Sequence, residues 1–320
     1  MSVPKTLPLI RVITVECEAN GLRVDRYLRD KVQVAPSVLF KLLRKKTITQ
    51  INTTQSKRLQ GSDRVFAGMQ IKLPNSLLSP SDNSKQQINA QKLPFLYESA
   101  SMAVIQKPYG LACQGGTKVT SSVDTILPPE YRLVHRLDRH TTGALVVART
   151  RLAASALAKA FHDRNVDKTY IALLKGIPKC TAGTINHALV NNGEMVGLAG
   201  SAEDGAKAAI TRYKVLKTGV WNDQQLSLVE LDILTGRKHQ IRVHCAKALG
   251  CPVLGDSRYS ATGEKTKGHM YLHLFRIKIP NVDEQGKVGT ADASTVTVTA
   301  PFPLFWQQAF SSLGVKFSSK

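Results

Sequence analysis

The residues of this chain that are best suited to chemistry lie in one segment, His135 to Leu145, which reads His-Arg-Leu-Asp-Arg-His-Thr-Thr-Gly-Ala-Leu. It places a single carboxylate, Asp138, between Arg136 and Arg139. Because nearby cations favour the charged form of an acid, we expect an ionised Asp138 that does not act as a proton donor. Such a group can serve as a nucleophile, an electrostatic stabiliser or an ion-pair anchor. A purely structural salt bridge is the alternative interpretation, since exposed Asp–Arg pairs are common.

The chain of 320 residues is strongly basic, with 44 Lys and Arg against 23 Asp and Glu and a net charge of +21. A polyanionic partner offsets such an imbalance, and nucleic acid fits best. An anionic membrane surface is the alternative. No apolar run approaches the roughly 18 residues that a membrane span needs. A hydrophobic fraction of 42% argues against general disorder.

The five cysteines are odd in number and include no Cys-x-x-Cys pair, which argues against a disulfide framework and favours a reducing compartment. His239, His244, Cys245 and Cys251 lie close together in the sequence, but their spacing matches no standard zinc pattern. We therefore expect no metal site.

The segment from Gly21 to Pro74 predicts a small basic module, with twelve basic and three acidic residues. Its apolar spacing predicts a short amphipathic helix that begins near Leu22 and a second helix that begins at Pro36. Short strands are expected over Thr47–Asn52 and Met69–Leu73. One face of the second helix carries four cations: Lys41, Arg44, Lys45 and Lys46.

Two sequence words in this segment, Gly-Leu-Arg-Val-Asp-Arg-Tyr-Leu from Gly21 and Ser-Asp-Arg-Val-Phe-Ala-Gly-Met-Gln-Ile from Ser62, resemble the S-four-type RNA-binding module. The resemblance implies an RNA-binding domain over residues 15–74, with the four cations of the second helix in contact with RNA. A basic, solvated helix without a partner is the alternative.

The rest of the chain predicts a linker followed by one larger domain. Residues 75–92 are rich in Ser, Asn and Gln and have few large apolar groups, which is typical of a linker. In residues 93–310 strands predominate and do not alternate regularly with helices, so the fold class is α+β. The clearest predicted elements are a helix over Arg151–Phe161 and strands over Met102–Ile105, Ala144–Ala148, Tyr170–Leu174 and Leu226–Ile233.

His-Arg-Leu-Asp-Arg followed by Thr-Thr-Gly resembles the signature of the RluA family of RNA pseudouridine synthases. The family word has Thr-Ser-Gly, so Thr142 is a departure that keeps the hydroxyl. Further family motifs follow in the right order over residues 103 to about 280: Ile105–Leu111, Asp167–Tyr170, Thr235–His244, Gly250–Asp256 and Tyr271–Leu274. The resemblance implies a mixed, mainly antiparallel catalytic sheet and no cofactor.

The resemblance also implies roles for individual residues. Asp138 is the catalytic carboxylate, and Arg242 is its bidentate ion-pair partner. Tyr170 lies against the target base and assists proton transfer, although an aromatic residue in a strand is more often part of the core. Arg136 enters the gap that the target base leaves. Leu254 and Leu272 are candidate apolar contacts for the uracil.

Several more residues of these motifs are expected to contact RNA. Lys107 is a candidate phosphate contact. On the residues alone, Gln240, Arg242 and His244 alternate with Ile241 and Val243 as on a half-buried strand. The remaining candidates are His135, Arg139, Arg237, His239 and Gln240.

These features predict a site-specific uridine isomerase that acts on ribosomal RNA of the large subunit after the base leaves its stack. Attack on the sugar, attack on the ring and a glycal route all stay open. A non-catalytic ribosome-assembly factor is the alternative, whereas a metal-dependent nuclease would need clustered carboxylates. We expect a monomer when the protein is free. The acid-free first fourteen residues favour a mitochondrial location, with a bacterial cytoplasm as the alternative.

Overall fold

The computed structural model describes residues 10–32, 36–51, 56–74, 93–115, 121–193, 195–200, 204–260, 268–289 and 295–316. The chain divides into two compact units: Met1–Gln91 with Gln114–Pro129, and Lys92–Cys113 with Glu130–Lys320. The first unit thus takes in a short segment that the sequence analysis places in the larger domain. The predicted linker, residues 75–92, lies outside the described residues. Within the described ranges, no helix has the length and apolarity to cross a membrane.

The first unit combines two helices with a four-stranded antiparallel sheet. The helices are α1 (Val24–Lys31) and α2 (Pro36–Arg44), which confirms both predicted helices. The strands are β1 (Ile10–Thr14), β2 (Thr49–Ile51), β3 (Ser56–Arg58) and β4 (Gln70–Pro74), in the order β1-β4-β2-β3. Apolar residues spaced along both helices pack on this sheet in one core, which includes Tyr27, Leu28, Leu39, Leu43 and Ile71. A short helix, α3 (Val123–Ile126), also belongs to this unit.

The second unit is built on one large sheet in the strand order β10-β13-β14-β9-β15-β8-β6-β5. Strand β7 also pairs with β8, and β16 with β15. Only the β8–β15 pair among the described strands is parallel, so the predicted α+β class with a mixed, mainly antiparallel sheet is confirmed. The strand bounds are β5 (Phe95–Glu98), β6 (Met102–Lys107), β7 (Arg132–Leu133), β8 (Thr142–Ala148), β9 (Asp167–Lys175), β10 (Ala182–Asn186), β13 (Ile210–Trp221), β14 (Gln224–Ile233), β15 (Leu272–Pro280) and β16 (Thr295–Thr299).

The remaining elements of this unit are a small hairpin and three helical segments. Strands β11 (Leu189–Asn192) and β12 (Met195–Leu198) form the hairpin. Helix α4 (Arg151–His162) begins at Thr150, whose hydroxyl accepts a hydrogen bond from the backbone of Ala153. A short helix α5 (Gln240–Val243) continues as a π-helical turn over His244–Ala248, and α6 spans Gln307–Ser312.

The strand predicted over residues 240–244 is wrong, because these residues form α5 and the start of the π-helical turn. All five side chains of the segment are buried, including the three polar ones. The alternation of polar and apolar residues therefore does not report alternating exposure. The Gln240 amide, for example, bonds to the Ile210 carbonyl at 2.9 Å and to the Thr211 hydroxyl at 3.0 Å.

Two glycines are required where strands and turns approach each other around the site. Gly143 in β8 has φ of +116°, and a Cβ atom there would lie 2.2 Å from the carbonyl oxygen of Leu274 in β15. Gly255 has φ of +80°, and its Cβ would lie 1.9 Å from the carbonyl oxygen of His269. Any other residue would push the backbones apart. The fold therefore requires Gly255 directly before Asp256, and Gly143 in the strand that follows the Asp138 loop.

Candidate active site

Asp138 lies in the loop between β7 and β8, with its side chain 27% exposed. The loop is closed by a hydrogen bond from the Thr141 backbone N–H to the Asp138 carbonyl, at 3.0 Å. The buried Lys107 ammonium donates to the carbonyls of Arg139 (3.1 Å) and Thr141 (2.8 Å). A buried cation that is held by carbonyls on both sides of the turn fixes the loop. The carboxylate is thus partly open to solvent, and the backbone that carries it is held by hydrogen bonds to the buried Lys107.

Arg242 is the cation next to this carboxylate. Its Nη1 donates to Asp138 Oδ2 at 3.2 Å, while Nε and Nη2 each donate to one oxygen of Asp256 at 2.7 Å. Burial alone would lower the pKa of Arg242, but the hydrogen bonds and charges of Asp256 and Asp138 raise it above its ordinary value. The predicted contact between Arg242 and Asp138 is present. The predicted bidentate geometry is wrong for that pair, because the two-bond fork faces the fully buried Asp256.

Asp256 is held in turn by its own surroundings. Besides Arg242, its Oδ1 accepts hydrogen bonds from the backbone N–H groups of Arg258 (3.0 Å) and Tyr259 (3.3 Å). The Tyr259 ring lies under the guanidinium, with 5.1 Å from the Arg242 Cζ to the ring centroid. A buried carboxylate is tolerated only with this kind of pairing. Arg242 therefore contacts Asp138 while its other donors are held by Asp256 and its guanidinium lies on the Tyr259 ring.

His239 is the second side chain that faces the carboxylate. Its Nε2 lies 3.6 Å from Asp138 Oδ2, and its Nδ1 lies 2.7 Å from the Tyr259 hydroxyl. Burial, with the charges of Arg242, Lys238 and Arg258, outweighs the charge of Asp138 and lowers the pKa of His239 to about 4. The residue has φ of +55° and begins α5. A neutral imidazole in a strained backbone position thus borders the acid.

Asp138, Arg242 and His239 line a cleft of about 900 Å³. Tyr170 of β9 forms part of its wall, and burial followed by the negative charge of Asp138 raises the pKa of its hydroxyl. The phenol is therefore protonated at neutral pH. The rim is rich in cations and includes Arg136, Arg164, Lys168, Arg237 and Lys238. The cleft thus brings the Asp138 carboxylate together with several cationic side chains.

Comparisons with known proteins identify the family to which this chain belongs. The family profile described as RNA pseudouridylate synthase matches residues 101–247. Over 274 residues the chain is 34% identical to ribosomal large subunit pseudouridine synthase C of Rickettsia conorii. The matched region covers 80% of this chain and 88% of that protein. The chain belongs to the RNA pseudouridine synthase family. It is therefore an isomerase that converts uridine to pseudouridine in RNA, and the resemblance drawn from its motifs is confirmed.

Two further matches to pseudouridine synthases extend the comparison. RNA pseudouridine synthase 4, mitochondrial, of Arabidopsis thaliana is 28% identical over 350 residues, which covers 82% of this chain and 71% of that protein. The solved structure of human RNA pseudouridylate synthase domain containing 4 superimposes with a TM-score of 0.59 at 25% identity. That match covers 72% of this chain and 97% of the human one.

Several residues predicted from the sequence line the cleft of this pseudouridine synthase. They include Asp138, Tyr170, Arg242 and Leu272, together with Arg136, His135, Arg237 and His239. His135 differs from the others because its Nε2 accepts a hydrogen bond from the Val146 backbone at 2.9 Å and its ring stacks on Phe161. Burial and the charge of Lys168 lower the pKa of His135 to about 3. Its ring therefore holds the strand instead of carrying a positive charge towards RNA.

Other predicted residues of the synthase are bound within the protein or lie outside the cleft. Lys107 is fully buried, with all three ammonium donors used on carbonyls, so it is not placed to meet a phosphate. Gln240 lines the cleft, but its side-chain amide is already hydrogen-bonded to groups of the protein. Leu254 packs against the core that contains Trp306 and does not line the cleft. Arg139 is exposed, with its Nε bonded to the Gly110 carbonyl at 2.8 Å.

The predicted cations of α2 lie in the first unit. Arg44, Lys45 and Lys46 are exposed at the end of that helix, whereas the side chain of Lys41 lies outside the described residues. An RNA contact by these residues stays a prediction.

Two important residues of the synthase site were not predicted as functional. Neither Asp256 nor Tyr259 was predicted to position a group of the site, although they hold Arg242 and His239. One general signal was present in the sequence: a buried arginine needs more than one acceptor, and Asp256 is the acid that follows Arg242 most closely.

Proposed function

We propose that this synthase acts on ribosomal RNA of the large subunit and that Asp138 reacts with the target nucleotide. The printed name of the Rickettsia conorii relative supports the choice of RNA. The observation that carries the role of Asp138 is its position: a partly exposed carboxylate, bonded to the buried Arg242, that lines a cleft rich in cations.

The reaction breaks the bond between ribose C1′ and N1 of uracil, joins C1′ to C5, and transfers the C5 hydrogen to solvent while N1 gains a proton. An ionised carboxylate can promote the first step by attack on the sugar or the ring, or through a glycal. Arg242 orients the acid through the hydrogen bond that it donates to Asp138 Oδ2. Tyr170, with its raised pKa, contacts the base as a neutral phenol. Arg136, exposed at the cleft, fills the space that the flipped base leaves.

The first unit supplies affinity for folded RNA, as expected of an S-four-type module. The exposed cations at the end of α2 and the net charge of +21 support this role. We propose a monomer when the protein is free and a mitochondrial location, the latter supported by the acid-free first fourteen residues and by similarity to the mitochondrial Arabidopsis protein. Cell fractionation and size-exclusion chromatography with light scattering test these two points.

The test of the target and of Asp138 uses transcripts of large-subunit ribosomal RNA, with pseudouridine mapped by carbodiimide-dependent primer stops. We expect a stop with the wild-type protein and none with Asp138→Asn. Asp223→Asn is the matched control, because Asp223 is exposed in the β13–β14 turn and does not line the cleft. An Asp138→Asn protein that still produces the stop refutes the proposed role.

Complementation of a strain that lacks the protein separates the enzyme from a non-catalytic assembly factor. If the main role is assembly, Asp138→Asn restores ribosome levels in a strain that lacks the protein. If modification is the main role, that strain lacks the pseudouridine and only the wild-type and Asp223→Asn proteins restore it.

A further inference from the structure

A group of four rings lies outside the cleft-lining residues of the second unit. The rings of Tyr109 and His140 stack with 5.2 Å between centroids and 18° between planes. The rings of His269 and Phe305 stack at 4.1 Å and 13°. Tyr109 joins the two stacks through edge contacts to His269 at 4.7 Å and to Phe305 at 5.9 Å. We call these four residues the ring cluster.

One residue of the ring cluster is exposed to solvent, and another packs against the core of the second unit. His269 is exposed although one face of its ring is stacked, and Tyr109, His140 and Phe305 are half-buried. Phe305 alone of the four packs against the core that contains Trp306. Two histidines and a tyrosine in a partly open stack contribute little to that core. The arrangement keeps flat aromatic surfaces in fixed positions at the protein surface.

The ring cluster also lies close to the proposed catalytic acid. His140 follows Asp138 by two residues in the same loop, and the charges of Arg139, Arg242, Lys107 and Asp138 all act on its imidazole. Tyr109 is held in place by its hydroxyl, which donates a hydrogen bond to the Gly268 carbonyl at 3.4 Å. In the sequence, Arg139 lies between Asp138 and His140 of the ring cluster. Its exposed guanidinium is held by a hydrogen bond to the Gly110 carbonyl. Positive charge and aromatic surface therefore occur together beside the reacting carboxylate.

We propose that the ring cluster binds one unpaired RNA base next to the target uridine by stacking, with Arg139 on the adjoining phosphate. This inference rests on the proposed function, since it places the neighbour of the flipped nucleotide. Unpaired RNA bases are recognised by stacking on aromatic and imidazole rings, and such stacking tolerates any base because each has a π face. When a target base leaves its stack, its neighbour loses a stacking partner, and the ring cluster replaces it.

The test combines a substitution in the protein with an abasic site in the RNA. The substrate is a large-subunit RNA fragment that the wild-type protein modifies, prepared also with an abasic nucleotide on the 5′ or the 3′ side of the target. We expect His269→Ala to weaken binding of the intact fragment about 5- to 100-fold, the range that stacked bases lose on alanine substitution. On one of the two abasic fragments the same substitution should have no further effect.

Matched variants keep the test independent of folding. His187→Ala, which removes an exposed histidine that does not line the cleft, should bind all fragments as the wild type does. His269→Phe keeps a flat ring and should restore binding, and thermal unfolding checks each variant. Equal losses on intact and abasic fragments, or no loss on any, overturn the inference. If the wild-type protein modifies no large-subunit RNA, the proposed function fails instead, and the two results are distinguishable.

Discussion

At the scale of single residues, the site depends on how one guanidinium is divided between two acids. Arg242 makes two short bonds to the buried Asp256 and one longer bond, 3.2 Å, to the more exposed Asp138. The strong pair fixes the arginine side chain, and the longer bond joins it to the carboxylate that we propose to react. The acid that positions Arg242 is thus a different one from the proposed reacting acid.

Arg242→Lys tests this division. A lysine ammonium is a point charge that cannot form the two-bond fork to Asp256 and still reach Asp138. We expect kcat to fall by about 100-fold, since a misplacement of about 1 Å in a reacting site can cost that much in rate, while RNA affinity falls only slightly. Single-turnover rates and filter binding measure the two effects. A lysine variant with wild-type kcat would mean that the fork is dispensable.

The pH dependence of the reaction tests the state of His239. Its lowered pKa of about 4 keeps the imidazole neutral above that value, whereas an ordinary histidine titrates near 6.5. Because the Tyr259 hydroxyl faces Nδ1, the geometry favours a proton on Nε2, directed at Asp138. We expect single-turnover rates that are flat between about pH 5.5 and pH 8. A fall with a midpoint near 6.5, absent in His239→Gln, would contradict this assignment.

At the scale of elements, the parallel β8–β15 pair sets the position of the acidic loop. Thr142 of β8 lies opposite His273 of β15, and its hydroxyl is 2.8 Å from His273 Nδ1. His273 Nε2 lies 3.1 Å from the Ala300 carbonyl and donates to it, so Nδ1 accepts the threonine proton. The hydroxyl that distinguishes Thr142 from an apolar residue thus has a structural use in joining the two strands.

Thr142→Val should therefore destabilise the second unit, because the buried Nδ1 of His273 loses its donor. We expect a loss of about 1–3 kcal/mol in the free energy of unfolding. Thr142→Ser, which keeps the hydroxyl, is the control and should lose less. Urea unfolding followed by tryptophan fluorescence reports on this unit, which contains both Trp221 and Trp306. Equal stability of the valine and serine variants would show that the hydrogen bond contributes nothing.

The elements that could be predicted from sequence are those whose hydrophobic pattern is compatible with only one type of secondary structure. The continuous apolar run of β8 and the apolar stripe of α4 gave the correct element type and nearly correct bounds. The pattern of α5 was misread, because its polar side chains are buried and bonded and so imitate an alternating strand. The Asp256 fork was also missed. It depends on tertiary contacts that spacing along the chain does not reveal.

At the scale of the whole molecule, the excess positive charge predicts how RNA affinity responds to salt. Removing one cation that meets a phosphate should reduce the slope of log K against log salt by about 0.7 to 0.9. We expect the double variant Arg44→Gln, Lys45→Gln to flatten the slope by roughly twice that amount. The control is Lys179→Gln, Lys217→Gln, which removes two exposed lysines from the second unit. Equal slopes for the α2 double variant and the wild type would show that the end of α2 does not meet RNA.

The proposed function of the whole molecule depends on the Asp138 carboxylate acting on the target nucleotide. The most direct measurement is the single-turnover release of tritium from RNA that carries [5-³H]uridine, with enzyme in excess so that binding does not limit the rate. We predict full release by the wild-type and Asp223→Asn proteins and none by Asp138→Asn that still binds the RNA. Release by Asp138→Asn at the wild-type rate would contradict the account.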